Sequence, residues 1–144
     1  MTSALSTTEH FAPTEPKNKM RIKWVRLFSD ASGESHFADI EEELNLIDFA
    51  PPAAPLYLSK IFPAAETAFF GAPAGWIGDW HVSSARNLFV VLSGEWEVTA
   101  SDGETRRFAP GSILLAEDTT GKGHASRVVS TEDSLAVLVR LDQS

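Results

Sequence analysis

From Glu95 to Ser101 the chain alternates strictly: Trp96, Val98 and Ala100 are apolar, while Glu95, Glu97 and Thr99 are polar. A period of two is the signature of a strand with one buried and one wet face. Asp102-Gly103 follows, a dipeptide suited to a two-residue hairpin, and leads into a return strand over Glu104 to Phe108. Pro110-Gly111 turns the chain again, into the apolar run Ile113-Leu114-Leu115-Ala116. A polar loop from Glu117 to Gly123 precedes a strand over His124 to Val129, and Leu135 to Leu141 alternates as a closing strand. Many short strands punctuated by Gly and Pro bury their apolar faces by packing sheet on sheet or by closing into a barrel. The expected fold class is therefore all-β, an antiparallel sandwich or barrel.

Upstream the pattern is less regular. Arg21 to Phe28 carries Ile22, Trp24 and Val25 and suits a half-buried strand, and Ser29 to Glu34, with Asp30 and Gly33, supplies a turn. Phe37, Ile40, Leu44 and Ile47 fall near helical spacing, yet Leu44, Leu46 and Phe49 also fit a strand. Both readings stay open, with strand preferred. Pro51, Pro52 and Pro55 suggest an extended connection, because each fixes its own φ and turns its predecessor away from helix. Leu56 to Phe62 and Glu66 to Phe70 read as strands. Residues 1–19, with Pro13, Pro16 and mixed charges, carry too little apolar surface to offset ordering entropy. They are expected to form a flexible tail ahead of a single domain over 20–144.

Composition narrows the partners. With 144 residues, 43% hydrophobic and 22% charged, the chain suits one water-soluble domain, and no apolar run reaches the length of a spanning helix. A formal net charge of −8 argues against nucleic acid and against an anionic membrane surface. There is no cysteine, which excludes disulfides, thiolate zinc sites and cysteine nucleophiles, so a metal would take nitrogen or oxygen ligands. The N-terminus lacks the apolar segment of a secretory signal, and the expected location is the cytoplasm.

The stretch Gly75 to Gly94 places polar residues on what otherwise reads as buried strand. Gly75 is followed after five residues by His81, and Asn87 after six residues by Gly94. This register resembles the first motif of the cupins, Gly-X5-His-X-His, three or four residues, Glu, six residues, Gly. Ser83 stands in place of the second His and Asn87 in place of the Glu. Further on, Pro110-Gly111, Gly121 and His124 resemble the second cupin motif, with two extra residues between Gly111 and Gly121, Thr119 in place of the usual Pro and Val128 in place of the usual Asn. The resemblance covers about residues 56–141. It implies a double-stranded β-helix, or jelly roll, in which these positions face inward. It also implies a divalent metal, Fe, Mn, Zn or Ni, on His81 and His124 with Asn87 as a neutral third ligand, weakened or lost because of Ser83 and Asn87. His81 and His124 are expected to face each other across one pocket; without a metal they are hydrogen-bonded interior histidines or acid/base groups.

Strand parity adds candidates. An inward His81 brings Asp79 and Ser83 to the same face, and an inward Asn87 brings Phe89 and Val91. Asp79 reads first as a solvated residue at a strand start, with the orientation of an imidazole as its functional alternative. Trp76 and Trp80 bracket the motif and, with Phe69, Phe70 and Phe89, suit either core packing or an aromatic pocket. Arg86 suits a surface ion pair or a clamp for an anionic substrate. The loop at Glu117 is no phosphate loop: Ala116 occupies the place of the first Gly, and Gly123 instead of Ser or Thr follows Lys122. It reads as a hairpin loop or as a pocket rim offering Glu117 and Asp118 as general acid/base candidates. The same parity turns Leu88, Val90 and Leu92 outward, where they need a cover, and a homodimer is expected.

The resemblance leaves the reaction open, since the fold serves many chemistries. A weakened ligand set favours isomerase, lyase or cyclase work on a small organic metabolite over oxygenase chemistry. The alternative is a non-catalytic module that binds a small-molecule ligand.

Overall fold

The computed structural model describes residues 20–142; the tail read over residues 1–19 lies outside them. Twelve strands follow one another: β1 (Arg21–Ser29), β2 (Ser35–Glu43), β3 (Asn45–Ile47), β4 (Leu56–Leu58), β5 (Ala64–Ala72), β6 (Ile77–His81), β7 (Asn87–Ser93), β8 (Trp96–Ala100), β9 (Thr105–Phe108), β10 (Ile113–Ala116), β11 (His124–Val128) and β12 (Ser134–Leu141). Among the described residues no helix is long and apolar enough to cross a membrane.

The chain forms two compact units. Of the described residues, the smaller comprises 20–22 with Glu42–Ser59. Within its described part β3 and β4 pair antiparallel, Leu46 opposite Tyr57, and the Leu44 amide donates to the Met20 carbonyl at 2.8 Å. Between these strands the chain turns back instead of extending: the Ala53 amide donates to the Ala50 carbonyl at 2.9 Å around a cis peptide between Pro51 and Pro52.

The larger unit, Lys23–Glu41 with Lys60–Ser144, carries the barrel. Its sheets run β2-β1-β10-β7-β12-β5 and β6-β11-β8-β9. Most pairings are antiparallel, but β1 runs parallel to β10 with Val25 opposite Leu114. The sheets pack face to face. Leu27, Val91 and Leu114 of the first meet Trp96, Val98, Ala100, Phe108 and Val128 of the second in one core. Burial along β8 alternates as its sequence does. The segment left open between helix and strand is β2 and then β3, since Ser35 and Phe37 alternate into the core. The strand expected over Leu56 to Phe62 stops at Leu58, beyond which Phe62 packs edge-on to Trp24 with ring centroids 5.9 Å apart. The hairpin after β8 has three loop residues, not two. Gly103 donates to the Ala100 carbonyl at 3.0 Å and takes φ 99°, the left-handed backbone of a type I turn closed by a bulge.

Parity places Leu88, Val90 and Leu92 of β7 on the outer face of the six-stranded sheet, opposite Phe89 and Val91. Leu88 and Val90 are half-buried beside their neighbours on β10 and β12, while Leu92 is 52% exposed. On the same sheet, Phe69 of β5 is 85% and Leu135 of β12 54% exposed.

Candidate functional site

Beside the core, and sharing Trp96, Leu114 and Phe89 with it, lies a cavity of about 340 Å³. Phe70, Phe89, Leu114 and Leu138 wall it from the six-stranded sheet and Trp96 from the four-stranded one, with Trp76 beside the opening strand. Trp96 organises the aromatic wall. Its ring meets Phe89 edge-on at 5.5 Å and Trp76 at 5.7 Å, and its Nε1–H donates to Ser134 Oγ at 2.6 Å, which donates in turn to the Ser93 carbonyl. A buried indole whose donor is satisfied holds one orientation.

The polar side of the cavity carries His81, His124, Asn87, Ser83 and Ser84; of the two histidines expected in the interior, His124 is buried and His81 is exposed. His81 and His124 are direct partners on β6 and β11, with ring centroids 4.6 Å apart. They stand side by side on one sheet instead of facing each other across the pocket. His81 Nδ1–H donates to the Asp79 carbonyl at 2.7 Å, and His124 Nδ1–H donates to Asp118 Oδ2 at 2.5 Å. A carbonyl or carboxylate only accepts, so both rings carry a proton on Nδ1, and Nε2 is the nitrogen these bonds leave unengaged. Asp118 is wholly buried; its other oxygen accepts the Ser83 hydroxyl at 2.8 Å, and its carbonyl accepts the Ser83 amide. One carboxylate thus fixes both His124 and Ser83.

Backbone geometry supports the pair. Gly123, next to His124, has φ 74°, and a Cβ there would overlap the His81 carbonyl oxygen, so a glycine lets β11 approach β6 this closely. Ser35 Oγ donates to the Gly123 carbonyl at 2.7 Å and accepts the Ser101 amide, tying this point to β2 and the β8–β9 hairpin.

Several residues singled out from sequence lie elsewhere. His81 is paired to His124, but Gly78 is paired to Ser126: three steps on β6 against two on β11. This bulge breaks the alternation that should have brought Asp79 inward with His81. Asp79 is exposed, its carboxylate accepting the Trp80 amide, and only its carbonyl serves His81. Trp80 is half-exposed and outside the aromatic wall. Consecutive residues of extended chain point to opposite faces, so Asp118 and Asn87 turn inward while Glu117 and Arg86 turn out. Glu117 accepts from Arg86 Nε at 2.8 Å and from Arg26 Nε at 2.5 Å. Burial pushes the Glu117 carboxyl up, but these two guanidiniums outweigh it and hold the group below the ordinary carboxylate range. Trp96 and Leu138 were not singled out, although Trp96 sits on the inward face that the β8 alternation already marks.

The metal implied by the motif resemblance can be tested on the donor set. Two imidazoles and the neutral Asn87 amide are what the cavity offers, and the Asp118 oxygens are engaged by His124 and Ser83. Among the described residues no three His, Asp or Glu side chains gather as a metal-holding group. This set does not fit a resident divalent ion.

The chain matches no family model and no curated protein. Solved structures to which it is similar include the cupin domain of Cnp3 from Schizosaccharomyces pombe, at 15% identity over 93% of this chain and 88% of that one, TM-score 0.42. A conserved protein of unknown function from Streptococcus pyogenes is similar at 24% identity over 54% of this chain, TM-score 0.40; the match spans 64% of that protein's length. The chain's own coordinates put two facing sheets around a cavity, with His81, Asn87 and His124 lining it from the motif positions. The fold is an all-β barrel of two facing sheets, of the jelly-roll kind. His81 and His124 line its cavity, and Asp118 ties His124 to Ser83 in one hydrogen-bonded network.

Proposed function

We propose that this cupin-type protein binds a small, flat organic molecule in its barrel and moves a proton on it, with His124 as the acid/base group. One observation carries the reading: a wholly buried carboxylate holds His124 by Nδ1 beside a second imidazole of the same tautomer. A carboxylate behind an imidazole fixes its tautomer and raises its basicity. On a carbon acid next to a carbonyl, Nε2 of His124 takes the C–H proton as the electron pair moves to the carbonyl oxygen. The Asn87 amide is the neutral donor available to that oxygen. Return of the proton at another carbon completes an isomerisation; departure of a β-substituent completes an elimination. The aromatic wall favours a ring-bearing substrate. No step runs through a metal.

The alternative, binding without turnover, is favoured by the predominantly apolar lining and by Glu117 turning away. One experiment separates the two readings. Planar ring-bearing carbonyl compounds are titrated while tryptophan fluorescence and the His124 side-chain nitrogen resonances are followed, and C–H exchange into D₂O is then measured by NMR. Exchange that His124→Gln abolishes while binding persists supports proton transfer. Binding without exchange in the wild type supports the module, and no response of Trp96 or His124 to any compound sinks both.

The same proposal includes a second copy of the chain over the outer face that carries Phe69, Leu92 and Leu135.

A further inference from the structure

A second cavity lies outside the barrel. It measures about 700 Å³ and is bordered by Trp24, Ile40, Phe62, Leu115 and Leu141 together with charged groups. Leu115 and Trp24 belong to the outer parity of β10 and β1, so the cavity and the histidine pocket lie on opposite sides of one sheet and share no lining residue. Its volume is within the range that holds a small ligand.

Its chemistry is unlike the rest of the surface. The lining contains Arg26, Lys60 and Arg86 against Glu117 and Asp142, three cations and two anions, a local excess of +1 in a chain of −8. Glu117 is ionised and bridges the two guanidiniums, accepting from Nε of each. Arg86 also gives Nη1 to the Asp142 carbonyl at 3.0 Å. These bonds hold the guanidiniums by their inner nitrogens, leaving both Nη groups of Arg26 and Nη2 of Arg86 as donors. Paired N–H groups of a fixed guanidinium are the partners that a carboxylate takes two at a time. Beside them lies an aromatic corner: Phe62 stands edge-on to Trp24, and Lys60 Nζ lies 5.0 Å above the Phe62 ring.

We propose that this cavity is a second binding site, separate from the barrel, for a small organic carboxylate with a flat apolar body. The carboxylate meets Arg26 and Arg86, and the body lies against Trp24 and Phe62. Glu117, which sequence alone suggested as an acid/base group, is here a positioning residue that aims both arginines.

The test uses the full chain and benzoate, with benzamide as the neutral isostere. In backbone and indole NMR spectra, benzoate is expected to shift the signals of Trp24, Phe62, Arg86 and Leu115 saturably at concentrations up to about 20 mM, the range of weak specific sites. Benzamide should bind at least about tenfold more weakly. Arg86→Gln, with an unchanged thermal midpoint, should weaken benzoate by about tenfold; if that variant unfolds, Arg26→Gln serves in its place. Trp96 and His124 should stay unmoved. Equal binding of benzoate and benzamide, shifts centred on the histidine pocket, or no shift at these residues would each overturn the proposal.

Discussion

At the scale of single residues, Asp118 matters most. It is charged, wholly buried and has both oxygens engaged, so Asp118→Ala strands a His124 N–H and a Ser83 hydroxyl inside the barrel. Each unsatisfied donor costs about 1–3 kcal/mol, and the variant is expected to lose roughly 2–5 kcal/mol in urea unfolding. Ser83→Ala removes one of these two bonds, leaves the His124 bond in place and should lose about 1 kcal/mol. A loss from Asp118→Ala no larger than from Ser83→Ala would contradict this account. Gly123→Ala tests the close approach of β11 to β6: it combines a strained φ with overlap on the His81 carbonyl and should cost more than about 1 kcal/mol. The motif resemblance singled out His81 and His124, which do line one cavity, but not their place side by side on one sheet. The role of Asp118 was not, because a buried carboxylate takes its meaning from the groups that meet it, and Ser83 lies 35 residues away in sequence.

At the scale of elements, the strands whose polar and apolar residues alternate were legible, and the irregular ones were not. Strand β8 alternates in sequence and in burial. The bulge in β6 leaves no mark on composition; it takes Asp79 off the face that strict parity with His81 would give it and leaves it exposed, as its reading as a solvated strand-start residue had it. The β1–β2 turn and the β8–β9 hairpin are joined by His36, which gives Nε2–H to Asp30 at 2.7 Å and Nδ1–H to Asp102 at 2.9 Å, and two donors require the imidazolium. Bonds to Asp30, then Asp102, raise the His36 pKa from 6.5. The bond from His36, ahead of that from Ser32, holds Asp30 well below its ordinary value. Asp102 is lowered first by the Glu104 amide and, against the opposing effect of burial, by His36. The raised histidine stabilises fully below 6.5 and loses its contribution as pH rises through its folded value; the lowered carboxylates stabilise fully above 3.8 and lose theirs as pH falls through their folded values. The difference in unfolding free energy between wild type and His36→Ala should therefore peak near about pH 5 and shrink on both sides. A difference constant with pH would remove the staple from the account.

At the scale of the whole molecule, two predictions concern what the barrel holds and what covers it. Because two imidazoles and an amide make a poor cage, Zn²⁺, Mn²⁺, Fe²⁺ or Ni²⁺ in about tenfold excess should move the thermal midpoint by less than about 1 °C. A shift of several degrees, abolished by both His81→Ala and His124→Ala, would restore the metal. The outer sheet face with Phe69, Leu92 and Leu135 should give a dimer in light scattering that Phe69→Glu dissociates, and a wild-type monomer across micromolar concentrations would dismiss the second copy. The all-β class was readable because turn residues and alternation repeat along the chain; which chemistry the barrel serves was not, since that depends on one inward side chain after another. The strand that carries His81 is the least anchored of its sheet. It is an edge strand, paired among the described residues to β11 and through a broken register, and such segments open at a lower free energy than a sheet's interior. Amides of Ile77–His81 should exchange with solvent sooner than those of β8, so that of the two neighbouring imidazoles one rides on a frayed hem and the other on woven cloth.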